Sequence, residues 1–181
     1  YLLDTVIEDT SLAAMHSVTA NFLNEYTAQL GSIDGDNSIS AFSNDLAASF
    51  DRLSITPADT SLKNKTIADA NRVATELNRV SNSIQDYRLR VDEEIQRVVS
   101  IINDSVDKIA DLNDRIRESQ VVGVSVSSLE DERRVALETI AQYLEIDYFT
   151  NSQNQVQIYT SGRPLLDSRA RHIDYQANTA L

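Results

Sequence analysis

The chain has 181 residues, enough for one domain of good size or for a domain with an appendage. Its 28 acids outnumber its 16 bases, and the resulting net charge of −12 argues against nucleic acid or an anionic membrane surface as a partner. It contains no cysteine, four Gly and two Pro, which excludes disulfide and thiolate chemistry and points to helices rather than a loop-rich or β-rich fold.

No apolar run approaches the roughly 20 residues needed to span a bilayer, and Tyr1 opens no charged segment followed by an apolar one. A chain that begins Tyr-Leu-Leu, without Met, is expected to be a piece of something longer. The first helix is expected over residues 2–30, with Leu3, Ile7, Ala14, Val18, Phe22, Tyr26 and Leu30 on one face and Gly31 at its end. A polar loop then leads to Ser38, the N-cap of a second helix over residues 39–53 whose stripe is Ile39, Phe42, Leu46, Phe50 and Leu53. Thr56-Pro57-Ala58-Asp59 combines a capping residue, a Pro at the first helical position and an acid three residues after the cap, and it forms a turn before the next element.

That element is one very long helix over residues 66–120, free of Gly and Pro. Its apolar positions run through Ala70, Val73, Leu77, Val80, Ile84, Tyr87, Val91, Ile95, Val98, Ile102, Val106, Ile109, Leu112 and Ile116, in steps of three and four. At about 1.5 Å per residue it would be roughly 80 Å long, so an elongated molecule is expected. Ala70, Leu77, Ile84 and Val91 keep a seven-residue step, but the spacing from Ile84 to Ile95 is eleven, which relaxes a left-handed supercoil. Nearly straight antiparallel helices follow from that, rather than a dimeric coiled coil. On the opposite face Asp86/Arg90, Glu93/Arg97, Asp104/Lys108 and Asp111/Arg115 are spaced for pairs worth only about 0.2–0.5 kcal/mol each, the mark of a solvated face.

The β-branched run Val121 to Ser128 ends the long helix, and Ser127 or Ser128 is expected to cap a further helix over residues 129–144. Beyond it the period falls to two. Ile146, Tyr148 and Phe149 mark a strand, residues 151–154 a turn, Val156, Ile158 and Thr160 one face of a second strand, and Ser161-Gly162 another turn. Leu165-Leu166 and residues 172–175 add short strands. The fold is therefore expected to be mainly α: an elongated antiparallel helical bundle over residues 1–145 built on one very long helix. Residues 146–181 would form a small β-hairpin or sheet region, packed on the rod or leading to an outer domain.

Few residues invite a chemical role. Asp34-Gly35-Asp36-Asn37-Ser38 resembles the opening of a calcium loop, but Ile39 stands where such a loop needs Gly and Asp45 where it needs Glu, so a polar connector is the better reading. His16 and His172 lie far apart with no cysteine to complete a zinc site. No nucleophile elbow, Gly-rich phosphate loop or H-E-x-x-H pattern is present, and neither are inward Glu residues paired with Glu-x-x-His. No enzyme activity, cofactor or metal is expected.

Ile102-Asn103, then Ile109 through Ile116 with Leu112 and Asn113, then Leu129, Asp131 and Arg133, form an I-N…I-x-x-L-N-x-x-I…L-x-D-x-R series. This resembles the pattern of the flagellar hook-associated junction proteins, the FlgK family. The Leu144 to Ile146 stretch, the strand from Gln155 to Thr160 and Gly162-Arg163-Pro164-Leu165-Leu166 resemble the strand-turn-strand that follows there. Ile39 to Leu53 and Thr56 to Asp59 are similar to the family's short helix and Pro-containing turn. Arg134 stands where the family usually has an acid, and the linker from Val121 to Ser128 is less glycine-rich. The amphipathic chain ends that form the family's axial core are not in this sequence.

The resemblance implies a structural protein of the extracellular flagellum, exported through the flagellar type III secretion channel and lacking any catalytic step. Copies would ring the distal end of the hook and join it to the filament, touching one another, the hook protein and the next junction protein. Neither nucleic acid nor membrane is implied as a partner, and this piece alone is expected to be a monomer in solution. The outer faces of the first helix and the long helix are expected to carry the contacts. A helical receptor ectodomain or signalling rod, or another axial protein such as flagellin, is the alternative reading.

Overall fold

Three capping groups set where the helices of this chain begin and end. The structure is a computed structural model that describes residues 16–27, 35 and 38–177. Leu3, Ile7, Ala14, Leu30, Gly31 and most of the acidic connector lie outside those residues. Residues 16–27 are helical (α1). Ser38 is extended, and its side chain accepts from the Ala41 amide at 3.0 Å, starting α2, Ile39–Ile55. Asp59 accepts the amides of Ser61 and Leu62 at 2.7 and 3.1 Å, so α3 starts at Thr60 and runs to Val121. The long helix thus begins six residues before the expected position, because Asp59 of the Pro-containing turn supplies the cap itself.

At the far end Gly123 ends α3. It takes the left-handed conformation at φ 75°, and its amide and that of Val124 return to the carbonyls of Gln120 and Ser119. The β-branched run was the expected cause; the glycine within it is the residue that makes the turn. Helix α4, Ser127–Ala141, starts two residues earlier than expected, at Ser127, and Val126 occupies its N-cap position without a side-chain cap. Glu130 supplies the acid in its first turn.

Three strands follow, β1 (Asp147–Thr150), β2 (Val156–Thr160) and β3 (Arg163–Leu166), in an antiparallel meander of order β1-β2-β3. In the first turn Asn151 Oδ1 accepts the amides of Gln153 and Gln155, and Asn154 stands at φ 57°. In the second, Ser161 and Gly162 both have positive φ, at 47° and 73°, the two-residue geometry whose twist matches flanking strands. A single bridge, Leu166 to Ala170, extends the sheet, and residues 171–177 carry no strand.

The chain divides into two compact units, one comprising residues up to Ala20 and from Asp92 onward, the other Asn21 to Val91, with α3 running through both. In the first unit the core is apolar. Ile102, Val106 and Ile109 of α3 meet Ala136, Leu137, Ile140 and Ala141 of α4, and Ile146, Val156, Ile158, Leu165 and Leu166 close it from the sheet side. Leu112 and Ile116 are equally buried.

The second unit is built differently. Ser49 contacts Asp69 and Thr66, while Phe42 and Asp45 lie against Arg72, so α2 runs antiparallel to the start of α3. Its buried residues are polar: Ser38, Ser49, Thr66 and Asp69. The Asp69 carboxyl lies below its ordinary range because the Ser49 hydroxyl and then the Lys65 ammonium bond to it. Farther along, the Tyr87 hydroxyl donates to the Phe22 carbonyl at 2.6 Å and its ring meets Phe22 and Tyr26, with burial pushing its pKa up.

Leu112 and Ile102, 1% and 3% exposed, test the register of α3. Leu112→Asp or Ile102→Asp buries an unpaired carboxylate and should cost about 3–5 kcal/mol. Thermal unfolding followed by circular dichroism reads it, and an unchanged midpoint would refute the register.

Candidate functional site

Two asparagines on α3 hold the C-terminal third of the first unit. An asparagine side chain carries one acceptor and two donors on a planar amide, so it can pair with a backbone residue as a neighbouring strand would. Asn113 does so with Val156: its Nδ2 donates to the Val156 carbonyl at 2.8 Å, and its Oδ1 accepts the Val156 amide at 2.9 Å. Asn103 repeats the arrangement with Ile173, at 3.0 and 2.8 Å. Both helix positions thus grip backbone that arrives 43 and 70 residues later.

Arg133 of α4 completes the inner clamp. It is 6% exposed. Its Nη1 donates to Asn113 Oδ1 at 3.0 Å and to the Asn154 carbonyl at 2.6 Å, while Nη2 reaches Asn154 Oδ1 at 3.3 Å. Burial lowers its pKa and the Glu130 carboxylate acts in the other direction. Glu130 also accepts from Asn154 Nδ2 at 2.9 Å, so one turn residue is held by two residues of α4. Asn suits that turn because it tolerates the left-handed conformation.

Around the outer clamp, residues after the sheet lie along α3. His172 Nε2 is 2.9 Å from Asp107 Oδ1, both side chains being half exposed. The Tyr175 hydroxyl donates to Asp92, which raises the tyrosine pKa, with burial adding to it. Just upstream, Asp167 pairs with Arg171 at 2.8 Å and accepts the Arg169 amide at 3.1 Å. Its pKa falls to about 2, the Arg171 guanidinium being the chief cause.

The residues singled out from the sequence occupy three kinds of place. Ile102, Ile109, Leu112, Ile116 and Leu165 are core, and Leu129 is half-buried at the start of α4. Asn103, Asn113 and Arg133 form the clamps. Asp131 is exposed and lies 3.6 Å from Arg134, whose stronger partner is Glu138 at 2.8 Å, and Gly162 makes the second sheet turn. Of the spaced pairs on α3, Asp111–Arg115 closes at 3.5 Å, but Arg97 turns from Glu93 to Glu94 and also bonds Tyr143. Sequence reasoning missed Asn154, Ile173, Tyr175 and Asp92. An Asn at the end of a hairpin turn was the one available signal, since a backbone partner such as Ile173 leaves no mark in residue type.

Among the described residues no group of three or more His, Asp or Glu is placed to hold a metal ion, and no helix is long and apolar enough to cross a membrane. The arrangement fixes a β meander and its trailing segment to one helix by paired amides.

The chain is thus a mainly helical domain whose small antiparallel sheet is fastened to one long helix. The sequence profile described as the flagellar hook-associated protein FlgK helical domain matches residues 23–180, and the chain belongs to that family. The fold is similar to that of the flagellar hook junction protein FlgK from Burkholderia pseudomallei, with a TM-score of 0.75 and 22% identity. That likeness covers 92% of this chain and 28% of the other, so this sequence spans under a third of that protein's length. Sequence comparison with curated proteins gives no match.

The inner clamp is open to test. Asn113→Ala leaves the Val156 amide and carbonyl unpaired in a buried setting and takes an acceptor from Arg133, at a cost of about 2–4 kcal/mol. A double-mutant cycle of Asn113→Ala with Arg133→Met should give a coupling of about 1 kcal/mol or more. Additive effects would show that the two side chains act separately.

Asp167 gives a pH prediction. Its folded pKa lies below the unfolded one, so the stability it contributes is complete above about pH 4 and lost as pH falls toward 2. Carboxyl NMR should place its midpoint near 2, and Arg171→Ala should move that midpoint up. A midpoint near 4 in the unaltered protein would break the assignment.

Proposed function

We propose that this chain is the helical domain of a junction protein that joins the flagellar hook to the filament. The observation that carries this is the family match over residues 23–180. In this reading copies of the protein ring the end of the hook outside the cell, after export through the flagellar secretion channel. Each touches its neighbours, the hook protein and the next junction protein, and the role has no catalytic step. In the same reading the helices of residues 1–145 are the support, and the small β region of residues 146–181 packs on α3 and α4.

The architecture agrees with a load-bearing part. The Asn113 clamp resists sliding of the sheet along α3 and the Asn103 clamp that of the segment after it, since a shift of one residue breaks both bonds of each clamp at once. The outer faces of α1 and α3 remain the proposed contact surfaces. Glu93→Lys is the cleaner probe of the α3 face, because Glu93 is exposed while Arg97 is engaged with Glu94 and Tyr143.

Deletion of the full gene should leave hooks without attached filaments and abolish swimming, and antibody to the protein should label the boundary of hook and filament. Motile cells with normal filaments after deletion would overturn the assignment. Glu93→Lys in the full-length protein should reduce swimming while leaving the thermal midpoint within about 2 °C. Unchanged motility would remove the α3 face from the contact.

A further inference from the structure

The seam between α2 and α3 is built so that its polar groups keep partners when it opens. Among the described residues of α2 only Ser49 is buried; its apolar side chains are half-buried or exposed, Phe50 by 56%. Each polar group at the seam has a second partner on its own helix. The Ser49 hydroxyl, which bonds to Asp69 across the seam, also lies 2.9 Å from the Asp45 carbonyl one turn back. The Thr66 hydroxyl reaches the Ser49 carbonyl at 3.4 Å but the Leu62 carbonyl of its own helix at 2.9 Å. Asp69 holds the Lys65 ammonium at 2.9 Å, four residues back on α3. Where the two apolar faces could close, an open groove lies between Phe50 and Leu53 on one side and Ile67 and Ala70 on the other. Arg72 reaches across to Asp45 and Phe42, but both charged side chains are more than half exposed and gain little from each other. The start of α3 does not depend on α2 either, since Asp59 caps it.

We infer that α2 is a flap: it swings off α3 about the Thr56–Asp59 turn and closes again as a unit of its own, while α3, α4 and the sheet stay folded. In the closed state the Ser49 hydroxyl serves Asp69. In the open state it returns to the Asp45 carbonyl, and Asp69 is left with Lys65 and water. The half-buried Phe42, Leu46 and Leu53 draw the flap shut, and the Ser49–Asp69 bond is what lets a carboxylate only 4% exposed stay charged beneath it. Once detached, a helix of this length without a packed face is marginal in water, so α2 unwinds. The sheet lacks this freedom. Arg133 donates to Asn113 and Asn154 on other elements, and Asn113 and Asn103 grip backbone 43 and 70 residues away, so opening there strands each of them. Segments that open apart from the rest are those with few buried apolar contacts, and α2 is the helix that fits. The flap stands independently of the junction reading.

Native-state hydrogen exchange of the purified full-length protein at neutral pH is the test. Relative to their intrinsic rates, amides of residues 43–54 should exchange about 100-fold faster than those of 134–141 and 156–158, and about tenfold faster than those of 66–73 on α3. Ser49→Ala strips the closed state of its bond to Asp69 and leaves the open state unchanged. It should therefore raise exchange in α2 by a further factor of about five, with exchange in α4 and the sheet held within about twofold. Equal exchange in α2 and residues 66–73 would mean that the helix pair opens as a whole, and protection of α2 that matches α4 would mean that it does not open separately. Either result overturns the flap, as does an α2 indifferent to Ser49→Ala.

Discussion

The first unit depends on a buried guanidinium that has only amide oxygens for partners. Arg133 lies at the centre of the arrangement, donating to a helix side chain and to a turn, while Asn113 holds the first residue of the central strand through its Nδ2 and through the same Oδ1 that accepts from Arg133. A buried charge is costly unless its hydrogen bonds are made, so this group penalises every alternative placement of the sheet. The apolar residues around it would tolerate small slides of β2 along α3; the polar cluster would not.

Cohesion and direction come from different groups in this unit. Apolar burial of Ile109, Ile140 and Ile158 supplies cohesion without direction. The two asparagine clamps supply direction, and they sit ten residues apart on a single helix, so the meander and the segment after it are tied at separate points. The Tyr175–Asp92 and His172–Asp107 contacts extend the same line of attachment.

The 21–91 unit follows the opposite plan. Its helix pair buries Ser49, Thr66 and Asp69 and leaves Phe50, Ile67 and Leu77 exposed. Asp69 is tolerated there because the Ser49 hydroxyl and the Lys65 ammonium bond to it. The apolar residues of that pair, Phe42, Leu46, Leu53 and Ala70 among them, are only half-buried.

Much of this was legible from residue order alone. The unbroken three-four spacing dictated α3, because an amphipathic stripe of that length has no other regular backbone that keeps it on one face. Ser38 dictated the start of α2, and Ser161-Gly162 the second sheet turn, since cap and turn chemistry act over a few residues. The same locality explains the errors at helix ends, where Asp59 and Gly123 won over neighbours with similar propensities. What only the tertiary structure decided was which part of each stripe is covered, and what Asn103, Asn113 and Arg133 hold. Periodicity shows that Phe50 and Ile109 each lie on an apolar face, yet one is exposed and the other buried, because the covering element comes from distant chain. The partners of the asparagines are backbone groups, which every residue possesses, so no pattern of side chains could have named them.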